Sequence, residues 1–276
     1  MNDWIDILVQ ERPARVRAGT TLYALRAAWK PGADVMILNG ASASGDQHLK
    51  TGDTVVLIRR GEIPHPEELD ALMAARHTPG VHAVVKRATV GIAGLGGLGS
   101  SVAFALARLG VGKLVLADFD VVEPSNLNRQ QYFVDQIGLP KVAALSATLV
   151  RIAPALTIEG HELRVEPSNV DAIFGAVDVL VEALDAAESK AMLAETFARL
   201  RPEVPLVVAT GLAGHASSNT IVTRQVGRSL VVVGDAATAA GPGVGLMAPR
   251  VGIAAHHQAN AVLRLLLGEA PEGGKG

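Results

Sequence analysis

The chain contains no cysteine. Disulfides, zinc-thiolate clusters and cysteine nucleophiles are therefore excluded, and any chemistry must proceed without a thiol of its own. Aromatic residues make up only 3% of its 276 residues, too few for platforms that stack single-stranded nucleic acid. An excess of charge is missing too. Twenty-five Lys and Arg stand against 27 Asp and Glu, a formal net charge of −2 without long basic runs. A surface for nucleic acid or for an anionic membrane is not expected from that balance. Apolar runs are short and broken by glycine and charge, so no transmembrane helix is expected. Met1-Asn2-Asp3-Trp4 lacks the basic start and apolar core of a secretory signal, which makes the cytoplasm the expected location.

What is present is apolar. Hydrophobic residues reach 49% and charged ones 19%, enough for a sizeable core, and the length suits one large domain with a small one. The boundary falls near residue 61, giving domains 1–61 and 62–276. In the first, Trp4 to Val9 reads as a strand with Ala14 to Arg17 as its hairpin partner. Thr20-Thr21 can cap a helix carrying Leu22, Leu25 and Trp29 at helical spacing. Asp34 to Leu38 is a strand ended by the turn pair Asn39-Gly40, and Thr54 to Ile58 is another after Gly52-Asp53.

Two strands, a helix and two strands suggest a β-grasp, ubiquitin-like module. The stretches Ile37-Leu38-Asn39-Gly40 and Gly52 to Ile58 resemble the ThiS/MoaD sulfur carriers. Those carriers work through a free C-terminal Gly-Gly carboxylate, whereas here the module runs on through Gly61-Glu62-Ile63-Pro64. An internal peptide carbonyl has no carboxylate to activate. Gly273-Gly274 is followed by Lys275-Gly276, so the tail is not expected to act as a carrier either. The module is read as a docking or structural appendage.

Residues 64–82 are predicted to form a linking helix, with Leu69, Leu72 and Met73 on one face and Pro79-Gly80 at its end. From Ala88 strands alternate with helices, as in a doubly wound, mostly parallel Rossmann-like α/β sheet. Thr89 to Ala93 is a strand leading into Gly94-Leu95-Gly96-Gly97-Leu98-Gly99, with a helix from Ser100 to Leu109 behind it. Gly94, Gly96 and Gly99 fit G-x-G-x-x-G, in which missing β-carbons permit a tight turn, close approach to phosphate and close helix packing. The helix N-terminus presents N–H groups to an anion. A second strand, Leu114 to Ala117, ends at Asp118, where an acid can accept ribose hydroxyls. These features predict nucleotide binding without choosing among ATP, NAD and FAD.

The choice comes from Asp118-Phe119-Asp120 through Ser125-Asn126-Leu127-Asn128-Arg129-Gln130, followed by Gly138-Leu139-Pro140-Lys141. This run resembles the ThiF/MoeB family, relatives of the ubiquitin-activating enzymes, and the likeness continues through Glu182-Ala183-Leu184-Asp185 to Met247-Ala248-Pro249, over roughly residues 65–268. It implies ATP as substrate with Mg²⁺, and adenylation of the C-terminal carboxylate of a ThiS-like Gly-Gly-ended carrier, with release of pyrophosphate. It also implies a homodimer. The nucleotide site is then Gly94, Gly96, Gly97, Gly99, Asp118, Ser125, Asn126, Leu127, Asn128, Arg129, Lys141 and Asp185. Arg129 and Lys141 can place cations on the phosphates, Arg as a planar fork and Lys as a mobile point charge. Asp185 follows an apolar strand, Val177 to Val181, and is the candidate Mg²⁺ ligand. Arg76 is the residue implied to reach a neighbouring subunit's site.

Other readings of single residues stay open here: Asp185 as a helix cap, Asp120 as either ligand support or strand-end cap, Arg76 as a surface charge. Many relatives hold zinc through paired C-x-x-C, and some carry a catalytic cysteine; neither is possible here, so no zinc is expected and chemistry should stop at the acyl-adenylate. Adjacent His256 and His257 face different sides of a helix and cannot form an i, i+4 metal pair. The fused module favours a ThiS-type role in thiamine-thiazole formation. Alternatives are a MoeB-like role on a molybdopterin-synthase carrier, an NAD-dependent Rossmann oxidoreductase, and a non-catalytic binding relative.

Overall fold

The computed structural model describes residues 3–75 and 77–272. The chain divides into two compact units, Met1–Thr78 and Pro79–Gly276.

In the first unit β1 (Trp4–Val9) pairs antiparallel with β2 (Arg12–Arg17). Gln10 and Glu11 make the hairpin turn, both with positive φ, the geometry that matches the twist of the flanking strands. Helix α1 (Leu22–Trp29) follows, its start capped by Thr21, whose side-chain oxygen accepts the Ala24 N–H. β3 (Val35–Leu38) turns through Asn39-Gly40, again with positive φ, into the short β4 (Ala41–Ser42). β5 (Thr54–Ile58) then inserts between β1 and β3, parallel to the first and antiparallel to the second. The sheet order β2-β1-β5-β3-β4 with a helix across it is a β-grasp. Ile7, Val9, Leu22, Leu25, Val55 and Leu57 fill its core. Trp29, expected beside Leu22 and Leu25, is 52% exposed because α1 ends there and Ala33 closes that end of the core.

Helix α2 (Pro66–Ala74) also belongs to this unit, and Glu62 and Glu68 both pair with Lys30. The single helix expected over 64–82 stops at Ala74. Pro79 disfavours helical geometry in the residue before it, Gly80 has φ +87°, and a separate short helix, α3 (Val81–Val85), begins after them.

The second unit is a seven-stranded sheet. Its strands are β6 (Thr89–Ala93), β7 (Lys113–Asp118), β8 (Thr157–Glu162), β9 (Val179–Glu182), β10 (Leu206–Ala209), β11 (Val222–Val226) and β12 (Leu230–Gly234). The order is β11-β12-β10-β9-β6-β7-β8, and every pairing is parallel except β11 with β12. Runs such as Val-Leu-Val in β9 are buried on both faces, which only a sheet covered by helices on both sides permits. Helices α4 (Gly97–Leu109), α5 (Lys141–Ile152) and α8 (Ala248–Leu266) contribute to one apolar cluster, and α6 (Val170–Phe174) and α7 (Ala187–Leu200) to another. The strand order reverses between β6 and β9, and in such sheets ligands bind in the crevice beyond the carboxyl ends at that point. Among the described residues no helix is long and apolar enough to cross a membrane.

One ion pair fixes the loops beyond β10 and β12. Arg250, at the start of α8 and 3% exposed, donates to the carbonyls of Ala216 and Ser217, to the Thr220 hydroxyl and to Asp235 Oδ2 at 2.6 Å. Burial pushes the Asp235 carboxyl up, but the Thr238 and Ala237 N–H groups, the Thr238 hydroxyl and Arg250 outweigh it, and the group is lowered to about 2. A carboxyl held below its unfolded value of about 4 stabilises the fold fully above that pH and loses this contribution as pH falls through about 2. Asp235→Asn should therefore cost about 3 kcal/mol at neutral pH, because it strands a buried guanidinium. Urea denaturation should show the gap to wild type narrowing as the pH is lowered from 5 towards 2; a gap independent of pH would count against this assignment.

Candidate functional site

The turn from β6 into α4 is built by glycines that pack against protein on nearly every side. Gly94 has φ +88°, and a β-carbon there would lie 2.6 Å from the Ala183 carbonyl oxygen, so the turn rests on the chain leaving β9. A β-carbon at Gly99 would lie 1.9 Å from the Gly94 oxygen, and one at Gly97 would lie 2.9 Å from Val251 and 3.4 Å from the Arg129 oxygen. Helix α4 begins at Gly97, three residues before the expected start, so Gly97 and Gly99 lie inside its first turn. Gly96 differs. Its β-carbon would meet only Gln130 Nε2, at 3.8 Å. Among the described residues only Gln130 approaches that side of the turn, next to the start of α4.

Asp118, the last residue of β7, holds this turn. Its Oδ2 accepts the Leu95 N–H at 2.6 Å and its Oδ1 the Asp120 N–H at 2.8 Å. The Tyr132 hydroxyl donates to the Leu95 carbonyl at 2.8 Å, so both polar groups of Leu95 are fixed. Burial raises the Asp118 carboxyl, while the Asp120 and Leu95 N–H groups and Lys141 act against it. Burial also raises Tyr132, helped by Asp118 and Asp120, and keeps its proton in place. Each carboxylate oxygen retains a lone pair, so Asp118 can still accept a sugar hydroxyl.

Lys141 was expected as a mobile cation. In the structure it is the first residue of α5, 5% exposed, with Nζ 2.8 Å from Asp120 Oδ2, while its N–H donates to the Asp120 carbonyl. The pair closes the loop between β7 and α5, and of its two carboxylate oxygens only one is committed. Asp120 therefore acts as the partner of Lys141.

Between them the chain makes a 3-10 turn, Pro124–Asn126. Buried Asn126 accepts the Glu123 N–H through its side chain at 3.0 Å and shapes the turn. Ser125 and Asn128 are exposed, and Leu127 packs partly into the core. Arg129 donates to the Ser125 carbonyl at 3.1 Å and to Asn128 Oδ1 at 2.8 Å. Both acceptors are neutral, and among the described residues no carboxylate pairs with Arg129. Its side chain runs beside the first turn of α4, with Cγ 3.5 Å from the position of a β-carbon at Gly97. Gln130 is buried, with Nε2 towards Gly96 and Oε1 without a partner among the described residues.

At the carboxyl end of β9 the structure adds residues that motif reading missed. Glu182 is wholly buried, and both its carboxylate oxygens take Lys190 Nζ, at 2.8 and 3.0 Å; Lys190 also donates to the Ala209 carbonyl. Glu182 Oε1 accepts the Leu184 N–H at 2.7 Å, so the pair sets the turn that carries Asp185. Burial raises Glu182 and Lys190 opposes the shift. A glutamate closing an apolar strand was a visible anomaly, whereas Lys190, one of several charges on α7, carried no signal. Asp185 itself is exposed and accepts the Ala186 N–H. It does not cap α7: the N-cap position is Ala186, without a side-chain cap bond.

Among the described residues no three metal-ligating side chains cluster. Asp185 is one exposed carboxylate following the turn that packs on Gly94, and a single carboxylate is the donor set Mg²⁺ uses when substrate phosphates and water supply its remaining oxygens, so Asp185 fits that ion. His257 bonds Thr223 and His256 bonds the Gly252 carbonyl, which puts them on separate faces of α8. Arg76 lies outside the described residues, as does Gly273-Gly274.

A family model described as the ThiF family matches residues 72–275, and one described as ThiS-like ubiquitin matches residues 5–61. Ubiquitin-like modifier-activating enzyme 5 of Caenorhabditis briggsae is 42% identical over 94 residues, which is 34% of this chain and 22% of that protein. The matched part thus spans about a fifth of this relative's length. Among solved structures, E. coli tRNA N6-threonylcarbamoyladenosine dehydratase, TcdA, superposes with a TM-score of 0.64 at 22% identity, over 71% of this chain and 92% of that one. It has also been solved with AMP and with ATP. E. coli MccB gives a TM-score of 0.54 at 21% identity, over 69% of this chain and 58% of its own. At these identities both are likenesses of fold.

The Glu182–Lys190 pair predicts a specific pattern of stability. Lys190→Met leaves a buried carboxylate without its cation and should cost about 3 kcal/mol in urea denaturation. Adding Glu182→Gln to it should recover much of that loss. Additive costs in the double variant would show that the two side chains are not coupled.

Proposed function

The chain belongs to the ThiF family, and on that premise we propose that it is an ATP-dependent adenylyltransferase acting on the C-terminal glycine carboxylate of a ThiS-like carrier protein. The observation that carries the reading is the combination at the α4 N-terminus. Gly96 keeps one side of the turn clear, and Arg129 beside it has no acidic partner among the described residues. Together they leave an open edge at a helix N-terminus with a planar cation beside it, which suits a triphosphate.

In this reading the Gly96 side of the turn and the α4 N–H groups take the phosphates, and Asp118 takes the ribose. A carboxylate oxygen of the carrier attacks the α-phosphorus, a new P–O bond forms, and the bond to the β-phosphate oxygen breaks. Pyrophosphate leaves and an acyl-adenylate remains. Two anions must meet, so positive charge at the phosphates lowers the barrier. Arg129 supplies it through a planar fork, while Lys141, whose charge is matched by Asp120, holds the loop beside the site. Asp185 would hold Mg²⁺ against the phosphates, and that ion would neutralise charge developing on the departing pyrophosphate. The absence of cysteine ends this chain's part at the adenylate, and sulfur transfer falls to another protein.

The ThiS-like match of the first unit favours a protein substrate of that class, and with it a role in thiamine-thiazole formation. A molybdopterin-synthase carrier is the neighbouring possibility. The likeness to TcdA over most of that chain brings in a third substrate type, a threonylcarbamoyl-modified tRNA. A homodimer is part of the proposal. Phe133, Val134, Ile137 and Leu139 are all exposed within one short segment, an apolar surface suited to a second copy.

ATP–pyrophosphate exchange tests the activity. It should require a Gly-Gly-ended ThiS-like carrier and fail when the terminal glycine is deleted; exchange driven instead by a MoaD-like carrier or a modified tRNA would reassign the substrate. Arg129→Ala and Asp185→Ala should each lower the rate about a hundredfold, on the order of 3 kcal/mol. Wild-type rates in both would mean that the site lies elsewhere. ATP with Mg²⁺ should raise the melting temperature by mass action, and stabilisation by NAD alone would favour the oxidoreductase instead. Light scattering should find a dimer at micromolar concentration, and a fully active monomer would remove the homodimer from the proposal.

A further inference from the structure

The turn after β9 carries Asp185, and a buried ion pair closes it. Among the described residues Glu182 is the only carboxylate with no exposure at all. An apolar residue could end the strand as well, and a buried charge pair adds little stability over one, so its presence points to geometry. Lys190, in the first turn of α7, gives Nζ to both carboxylate oxygens at 2.8 and 3.0 Å and to the Ala209 carbonyl at 3.2 Å. The carboxylate is thereby held in one orientation, and in it Oε1 accepts the Leu184 N–H at 2.7 Å. Ala183 between them donates its N–H to the Ala93 carbonyl at 2.8 Å, and its own carbonyl packs on Gly94. Gln258 from α8 donates to the Glu182 carbonyl at 3.0 Å. The three residues before Asp185 are fixed one by one, from β6, α7 and α8. Asp185 has far less. Its side chain is exposed, and among the described residues it accepts only the N–H of its neighbour Ala186, at 2.7 Å.

Mg²⁺ demands near-octahedral geometry, so a lone protein carboxylate that binds it must be well aimed. No second side chain orients Asp185. Its aim comes from the backbone of residues 183–185, and the course of that backbone comes from Glu182 and Lys190. We propose that the Glu182–Lys190 pair is a positioning pair for Asp185, setting the direction of its carboxylate and with it the hold of the bound nucleotide on Mg²⁺. Neither side chain is a ligand of the ion; both act through the turn. Groups that orient a metal ligand from behind control about tenfold to a hundredfold in metal affinity. The proposal rests on the reading of Asp185 as the Mg²⁺ ligand but requires neither a carrier nor a reaction step.

Equilibrium binding of ATP to the full chain, with saturating Mg²⁺ and again with EDTA, tests it without catalysis. By linkage, the ratio of the two affinities reports how much more tightly bound ATP holds Mg²⁺ than free ATP does. The wild type should bind ATP more tightly with Mg²⁺, and Asp185→Ala should abolish that gain. Glu182→Leu combined with Lys190→Met replaces the buried pair by apolar side chains of similar size, a change that folds tolerate, yet takes the acceptor from the Leu184 N–H. It should lower the ratio about tenfold and leave the affinity in EDTA unchanged. Lys190→Arg keeps a cation on both carboxylate oxygens and should retain the wild-type ratio. Lys190→Met alone should move the ratio in the same direction as the double variant, so that either one, shown by its melting curve to be folded, decides. A folded variant with the wild-type ratio would overturn the positioning role and leave Asp185 as the ligand. Equal losses with Mg²⁺ and with EDTA would overturn it as well, since the pair would then support the whole crevice. A wild-type ratio in Asp185→Ala would overturn the metal reading, and the positioning pair with it.

Discussion

The second unit depends on one close contact: the first turn of α4 sits on the Gly94 carbonyl, with no space for a β-carbon at position 99. That approach brings the helix N-terminus up to the carboxyl end of β6, and the rest of the crevice is arranged to keep it there. Asp118 from β7 and Tyr132 from the following loop hold Leu95 by its N–H and its carbonyl. The turn after β9 touches Gly94 from the other side. A larger residue at Gly99 would push α4 outward and open all three contacts together. Close packing of this kind transmits strain, because interiors have little free volume.

Charge is distributed with the same economy. Three loops at the carboxyl edge of the sheet are each closed by a buried or half-buried ion pair: Lys141–Asp120 after β7, Lys190–Glu182 after β9, Arg250–Asp235 after β12. Glu182 and Arg250 also bind backbone groups of their own loops, and Lys141 and Asp120 are joined by a backbone hydrogen bond as well. Such pairs fix geometry more than they add stability. Against this background Arg129 stands out by its lack of an acidic partner among the described residues. A cation held beside a helix N-terminus by neutral acceptors retains its field for an incoming anion.

The first unit has the opposite construction. Its core is small, its hairpins turn through residues with positive φ, and many of its charges pair on the surface. A β-grasp of this size matches the fold class of the proteins that ThiF-family enzymes are proposed here to activate, yet its chain continues past Gly61.

The amino-acid sequence by itself determined the order of elements, the glycine turn with its acid at the next strand end, and the family, because these depend on local spacing. Periodicity, turn dipeptides and a contiguous motif are read along the chain, and Gly94 to Gly99, Asp118 and Ser125 to Arg129 are close in sequence as well as in space. Where local signals competed, they misled. The helix over 64–82 breaks at Ala74 although its apolar spacing continues, and Trp29 keeps its helical position but has no core to enter. Only the tertiary structure decided which charges are paired. Lys141 and Arg129 look alike in sequence, but one is spent on Asp120 and the other has no acidic partner among the described residues, and that difference arises from chain segments brought together by folding. The same holds for Glu182 with Lys190, Asp235 with Arg250, and Phe119 with Arg164, 45 residues apart in the chain and stacked at 3.9 Å. Their partners are chosen by strand register and helix docking, which no spacing within the sequence encodes.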